Sequence, residues 1–349
     1  MTKVPAYATR GPTEPLSPFT IERRDPRPDD VVIDVLYCGI CHSDIHQARD
    51  EWNNSSYPMV PGHEIVGRVV EVGRDVTRLR PGDKVGVGCF VDSCLECGPC
   101  KRDLEQFCEE GAAFTYNGTE MDRKTPTFGG YSTRIVVRDH FVLRVPESLD
   151  PAGAAPLLCA GITTFSPLSA AKTKRGDRVA VVGLGGLGHM AVKIASSMGA
   201  EVTVLSTSRA KEADARRLGA TAFELTREEG AFQRLAGRFD LVIDSVSAPH
   251  DYNAYLRTLR PLGTMVLLGI PPAPIPLDAT ALILGNRRLV GSNIGGVAET
   301  QAMLDYCGEH GIVSDVEVIP AQEINAAYER VLRGDVRYRF VVDVSSLAK

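Results

Sequence analysis

Cys94, Cys97, Cys100 and Cys108 bring four thiols together in one short, charge-rich segment. Four thiolates around a tetrahedral d¹⁰ ion make a closed structural zinc site. A segment with so little apolar material can draw its folding energy from the metal. An iron–sulfur cluster takes the same ligand type, but the bacterial ferredoxin run has a shorter final gap followed by proline. Gly98 and Pro99 are expected to make the tight reversals between the thiols. A second set is scattered: Cys41-His42-Ser43-Asp44-Ile45-His46, then Gly62-His63-Glu64, then Cys159. Taken singly these are ambiguous. A histidine such as His63 is more often a hydrogen-bonded polar residue than a ligand, and Cys159 alone passes for a small buried hydrophobe. Cys38 and Cys41 form a C-x2-C pair, whose redox reading needs a thioredoxin-like βαβ setting, whereas their surroundings look like a β-barrel.

The third chemical signal is Gly183-Leu184-Gly185-Gly186-Leu187-Gly188, preceded by the apolar run Val179–Val182 and followed by helical periodicity. In that context G-x-G-x-x-G is a dinucleotide turn. Gly183 permits the tight turn, Gly185 lets the backbone approach a pyrophosphate, and Gly188 lets helix and strand pack closely. The backbone N–H groups from Gly186 and Leu187 onward open the helix and supply free donors to phosphate. The next strand ends in Ser206-Thr207-Ser208-Arg209-Ala210-Lys211, with no carboxylate to hold a ribose 2′-OH. Hydroxyls and two cations there suit a 2′-phosphate, so the cofactor is expected to be NADP(H).

These residues need elements to position them. Residues 1–150 read as short Val- and Ile-rich strands such as Val31–Tyr37, Ile65–Val72, Lys84–Val87 and Tyr131–Val137, separated by Gly, Pro and Asp turns. From Pro151 the rhythm becomes strand–helix alternation: Arg178–Val182, Gly186–Met198, Glu201–Leu205, Arg209–Leu218, Phe239–Ile243, Asp251–Leu259 and Thr264–Leu268. That pattern predicts a parallel, doubly wound sheet. The tail adds a helix over Ala298–His310, a strand over Val313–Ile319, a helix over Gln322–Leu332 and a last strand over Arg339–Val344. The Pro-rich run 271–276 reads as a surface loop.

Taken together, the motifs resemble the zinc-containing medium-chain dehydrogenase/reductase family, and within it the cinnamyl alcohol dehydrogenase branch. The resemblance runs over essentially the whole chain, including Cys159-Ala160-Gly161 and the closing Asp335-Val336-Arg337-Tyr338-Arg339-Phe340. It implies an α/β fold: a GroES-like β-barrel catalytic domain from 1–152 and 292–349, with the zinc lobe at about 89–110, plus a Rossmann cofactor domain over 153–291. It assigns Cys41, His63 and Cys159 to a catalytic zinc, the Cys₂His set known for alcohol dehydrogenases. Cys38 is then a strand residue, and Cys89 a buried thiol or a pocket-side residue. The resemblance implies that Ser43 contacts the substrate oxygen and that His46 passes the proton on. The alternative for Ser43 is a helix N-cap. Asp44 would accept the second ring N–H of His63, and Glu64 would lie behind the metal, unless it is an ordinary backbone-bonded carboxylate. Gly269, Ser292, Asn293 and Arg339 join the cofactor contacts by resemblance. Trp52, the only tryptophan, is either an aromatic pocket wall or a loop anchor.

The reaction implied is hydride transfer between NADP(H) and primary alcohols or aldehydes, aromatic or medium-chain, with two zinc ions per chain. A zinc-free quinone reductase on the same fold would not need the ligands. A non-catalytic zinc or redox sensor that binds dinucleotide would explain the lobe and the glycine turn, but not the catalytic set. Net charge −5 excludes a surface shaped for nucleic acid. There is no run of 18 apolar residues, and the amino-terminal residues carry no signal-peptide core, so no membrane partner and a cytoplasmic location are expected. A homodimer is expected from the family alone.

Overall fold

The computed structural model describes residues 1–348. They form two compact units, Met1–Ile162 with the residues from Gly295 onward, and Thr163–Ile294. The first boundary lies ten residues beyond the expected 152, so Cys159 belongs to the same unit as Cys41 and His63.

The first unit is built on the long strand Asp30–Gly39, whose Val31, Ile33 and Cys38 have no exposed surface. One sheet runs Leu143–Arg144, Lys84–Val87, Ile65–Val72, Asp30–Gly39, Arg339–Asp343 and Val316–Pro320, and Arg134–Arg138 also pairs with the long strand. Register shifts at Val32/Ile33 and Val35/Tyr37 mark irregularities of the kind that bend and twist a strand, as a barrel wall requires. A separate two-stranded hairpin of Thr2–Ala8 and Ser17–Arg23 docks beside this sheet, the Tyr7 N–H donating to Tyr131 O at 2.8 Å. Ile33, Ile65, Ile135, Phe141 and Phe340 fill its interior. Helices Val297–His310 and Ile324–Leu332 come from the tail.

The second unit is a six-stranded, wholly parallel sheet. Numbered along the unit, its strands lie in the order third, second, first, fourth, fifth, sixth, which is the Rossmann order. Val179–Val182, Val202, Val204, Leu205 and Leu241–Ile243 are all buried, as strands covered on both faces must be. The helix Gly188–Ser197 follows the first strand and Tyr252–Thr258 the fourth.

Several elements depart from expectation. Residues 209–218 divide into a 3₁₀ turn Arg209–Lys211 and a short helix Glu212–Arg217. The strands Thr2–Ala8, Ser17–Arg23, Ala222–Leu225 and Arg288–Gly291 were not anticipated. Nor was the helix Ala160–Ala170, which carries Pro167 inside it. No helix among the described residues is long and apolar enough to cross a membrane.

Candidate active site

Cys41 sits where the strand Asp30–Gly39 turns into the helix His42–Ala48, as that helix's N-cap. Its backbone N–H donates to Asp44 Oδ2 at 2.8 Å, closing the first turn with the carboxylate three residues on. Asp44 is fully buried and also accepts from the Gly62 N–H at 3.2 Å and the Tyr131 hydroxyl at 3.3 Å. His63 Nδ1 lies 3.1 Å from Asp44 Oδ1. An ionised carboxylate only accepts, so Nδ1 carries a proton and Nε2 is the nitrogen left to bind a metal. The turn that brings His63 there needs glycine. Gly62 has φ +103°, and a Cβ on it would lie 2.6 Å from Cys38 Sγ. Cys38 packs into the sheet interior with no exposed surface, and no disulfide joins it to Cys41.

Cys159 follows the 3₁₀ turn Ala155–Leu158, and its sulfur lies 3.9 Å from Cys41 Sγ. Donor atoms of Cys41, His63, Glu64 and Cys159 all lie within 4.8 Å of one another, and all four residues are buried. The Cys41 thiol is held well below its ordinary value, chiefly by the hydrogen bond from Cys159, with Arg339 and His63 adding to it against burial. Making that bond raises Cys159. Two thiols and an imidazole with its tautomer fixed by a carboxylate match what a zinc site requires. The group fits zinc through Cys41, His63 and Cys159.

Glu64 has no exposed surface, and Arg339 Nη2 donates to its Oε1. Burial pushes the Glu64 carboxyl up to about 7, with the Arg339 guanidinium opposing. Arg339, expected among the cofactor contacts, stands beside Glu64, where a carboxylate this deep needs a cation, and its Nε has no partner among the described residues. Ser43 lies inside the first turn of the helix rather than at its cap, with Oγ 3.6 Å from Cys41 Sγ. His46, one turn on, is partly exposed and places Nδ1 2.5 Å from Glu51 Oε2. Its ring contacts His42 at 4.9 Å and Trp52 at 5.0 Å between centroids.

Replacing Asp44 with asparagine puts an NH₂ where one accepting oxygen stood, facing donors on several sides. Asp44→Asn is expected to weaken zinc binding by about 10–100-fold, measured by competition with a chelator. Wild-type zinc affinity in that variant would contradict the positioning role.

The four-cysteine segment closes on itself. Donor atoms of Cys94, Cys97, Cys100 and Cys108 lie within 4.8 Å of one another. Backbone N–H groups point at the sulfurs: Cys97 N to Cys94 Sγ at 3.3 Å, Glu109 N to Cys97 Sγ at 3.5 Å, and Cys94 N to Cys108 Sγ at 3.5 Å. Such bonds favour thiolate, and the N–H groups of Cys100 and Glu109 bring Cys97 down to about 7. The set fits zinc. Gly98 and Pro99 form the expected tight turn, with the Lys101 N–H donating to Cys97 O at 3.1 Å, and further left-handed reversals fall at Leu95 and Asp103, both at φ +57°. Buried Glu105 ties the lobe to its unit: Oε2 accepts the Val297 N–H at 3.0 Å, and Oε1 lies 2.8 Å from His140 Nε2.

In the second unit Gly183 has φ +83°, and a Cβ on Gly188 would lie 2.2 Å from Gly183 O. Nothing lies within 4 Å of a Cβ on Gly185, which leaves the backbone open to a ligand. Ser206 Oγ accepts the Ser208 N–H at 3.2 Å, fixing the hydroxyl loop, while Thr207 and Ser208 are exposed. Arg209 is paired with Glu228 and with Glu212. The Ser292 N–H donates to Leu267 O at 3.2 Å, and Asn293 is exposed.

Residues 27–147 match the alcohol dehydrogenase GroES-like domain, and residues 186–309 match the zinc-binding dehydrogenase domain. The chain belongs to the zinc-binding alcohol dehydrogenases. It is 55% identical over 347 residues to the NADP-dependent alcohol dehydrogenase C of Mycobacterium bovis, covering 99% of this chain and 100% of that one. A cinnamyl alcohol dehydrogenase of Sorghum bicolor superposes with a TM-score of 0.95 at 46% identity, over 99% of this chain and 98% of that one. The cinnamyl alcohol dehydrogenase of Helicobacter pylori, solved with NADP(H), gives 0.92 at 41% identity over 99% of both chains.

In this zinc-binding alcohol dehydrogenase some site residues lay outside the sequence reading. Glu51 was missed. Its only signal is local: the helix ends at Ala48, and the Glu51 N–H returns to His46 O at 2.9 Å, folding the carboxylate back onto the ring. Tyr131 bonds Asp44 from 87 residues away and Glu105 bonds Val297 from 192, separations at which no motif speaks.

Proposed function

We propose that the chain is an NADP(H)-dependent zinc alcohol dehydrogenase interconverting primary alcohols and aldehydes, aromatic or medium-chain, with broad specificity. The observation that carries this reading is the buried convergence of Cys41, His63 and Cys159 beside Ser43 and the His46–Glu51 pair. Zinc held by Cys41, His63 and Cys159 supplies a Lewis acid to the substrate oxygen, and NADP(H) supplies or takes the hydride. A second zinc held by Cys94, Cys97, Cys100 and Cys108 has only a structural task.

The chain's own residues handle position and protons. Asp44 holds His63 in the ligating tautomer. Ser43 Oγ carries the proton between the substrate oxygen and His46. Glu51 accepts from His46 Nδ1, which leaves Nε2 as the exchanging nitrogen, and the ring's exposure gives it access to water. The exposed face of Trp52 beside His46 provides an aromatic wall for the substrate. Glu64 stays behind the ligands, balanced by Arg339.

The backbone of Gly183, Gly185, Gly186, Leu187 and Gly188 takes the pyrophosphate. Ser206, Thr207, Ser208 and Lys211 take the 2′-phosphate, with Arg209 exchanging Glu228 for it. Gly269, Ser292 and Asn293 follow the nicotinamide half. The Mycobacterium bovis relative, whose name specifies NADP, supports that choice. The edge strand Arg288–Gly291, with Val290, Ile283 and Leu284 exposed near it in sequence, supports a homodimer formed along that edge. Nine free cysteines suit the reducing cytoplasm.

The relay is tested by His46→Gln. Turnover of an aromatic aldehyde with NADPH is expected to fall by about 10²-fold or less, the range of general acid–base catalysis. NADPH affinity should stay unchanged. Wild-type turnover in this variant would contradict the relay.

A further inference from the structure

The segment 245–250 leaves the strand Phe239–Asp244 and runs to the helix Tyr252–Thr258. It lies directly against the glycine turn. A Cβ on Gly183 would stand 2.6 Å from Val246 Cγ2, and one on Gly188 would stand 3.3 Å from Ser245 Oγ. Ser245 Oγ donates to Val182 O at 2.8 Å. On its other side a Cβ at Gly269 would lie 2.5 Å from Val246 O. The segment is therefore wedged between the glycine turn and Gly269, both assigned to the dinucleotide, with no room to shift independently of them.

One side chain ties the segment down. His250 Nε2 lies 2.9 Å from Asp244 Oδ2, and Nδ1 lies 2.8 Å from Ala248 O. A carbonyl oxygen and an ionised carboxylate both accept only, so both ring nitrogens must donate and the ring is an imidazolium. Asp244 is buried, and its Oδ1 accepts the Val246 N–H at 3.1 Å, so the same carboxylate holds both ends of the loop. The imidazole packs on Tyr252, 4.0 Å between centroids, and edge-on to Tyr255 at 5.3 Å. The titratable groups facing it are Asp244 at the strand end, Asp251 at the helix cap, and the phenols of Tyr252 and Tyr255. Burial opposes the charge, but Asp244 and the Ala248 carbonyl outweigh it and raise His250 above the ordinary histidine range.

We infer that the His250 imidazolium is a positioning residue that holds segment 245–250 against the glycine turn, so that dinucleotide binds more tightly to the protonated than to the neutral form. The inference rests on the reading of Gly183–Gly188 as the dinucleotide site. As pH rises through the His250 pKa one donor is lost, and either the strand end or the loop carbonyl is released. Linkage is reciprocal, so bound dinucleotide must tighten proton binding at His250 by the same factor by which protonation tightens dinucleotide binding, raising its pKa by the logarithm of that factor.

The test is calorimetric titration of the zinc-loaded protein with NADPH, from pH about 6.5 to about 9, a range that spans a raised histidine pKa. Wild type is compared with His250→Gln, which donates through one amide and does not titrate. The phosphate titration of NADPH is common to both and cancels. Wild-type affinity is expected to fall over this range by about fivefold or more relative to the variant, the low end of site-to-site coupling. The NMR titration midpoint of the His250 ring should move upward when NADPH is bound. His250→Phe keeps the packing on the tyrosines without either donor, and should bind NADPH weakly even at the acid end. Parallel pH profiles for wild type and His250→Gln, a midpoint indifferent to NADPH, or wild-type binding by His250→Phe would each overturn the inference. Absence of NADPH binding by wild type at any pH would overturn the dinucleotide reading and this inference with it.

Discussion

Cys159→Ser is expected to remove the zinc held by Cys41, His63 and Cys159 while leaving the lobe's zinc in place, and to cut aldehyde reduction by about 10³-fold or more. The magnitude follows from the chemistry lost. A Lewis acid on the substrate oxygen is worth several kcal/mol of transition-state stabilisation, and each ~1.4 kcal/mol is a factor of ten in rate. Serine occupies nearly the same space as cysteine but offers no thiolate at neutral pH. Cys159 caps a short turn, and its sulfur meets the thiols of Cys41 and Cys89. The melting temperature should therefore stay close to wild type. Metal analysis, steady-state rates and a thermal scan on one preparation check all three. Retained zinc with full turnover would remove Cys159 from the ligand set.

Cys100→Ser is expected to act in the opposite way. Cys100 is buried inside the lobe, beside Ser93 Oγ at 3.3 Å. Around it the segment Cys94–Cys108 offers short 3₁₀ turns and few apolar contacts, so the metal supplies most of its order. Losing it should cost several kcal/mol and lower the melting temperature by about 10 °C, at roughly 2–4 °C per kcal/mol for a domain of this size class. The disturbance should spread through Glu105, which links the lobe to the start of the helix Val297–His310. Zinc at Cys41 and His63 should remain. Differential scanning calorimetry with metal analysis separates this outcome from that of Cys159→Ser. An unchanged melting temperature after loss of the lobe's zinc would contradict the structural role.

These two sites were legible in the sequence to different degrees, for a physical reason. The lobe and the glycine turn are local: their geometry is set by residues a few positions apart, so spacing alone speaks for them. Gly183, with positive φ, and Gly188, with no room for a Cβ, stand where the motif reading needs them. The Cys41, His63 and Cys159 set spans more than a hundred residues, and only resemblance grouped it. Of the contacts supporting it, that of Asp44 with His63 was expected, whereas those reaching across the chain were invisible. Glu64 meets Arg339 across 275 residues, and the pairing depends on the tail strand Arg339–Asp343 joining Asp30–Gly39 in antiparallel register. The amino-terminal hairpin was missed because Pro5 and Pro18 interrupt its alternation, although the strand partners still register along Thr2–Ala8 and Ser17–Arg23. The strand Arg288–Gly291 is an edge with mixed exposure and carries no periodic signal strong enough to read.

Zinc-loaded protein is expected to reduce an aldehyde with NADPH. The most direct test is the initial rate of cinnamaldehyde reduction with NADPH and with NADH at equal concentrations, on protein whose zinc content has been measured. Turnover is expected with both, faster with NADPH, because the loop Ser206–Lys211 offers hydroxyls and cations and no carboxylate to the ribose. Fully zinc-loaded protein that turns over with neither cofactor would contradict that expectation.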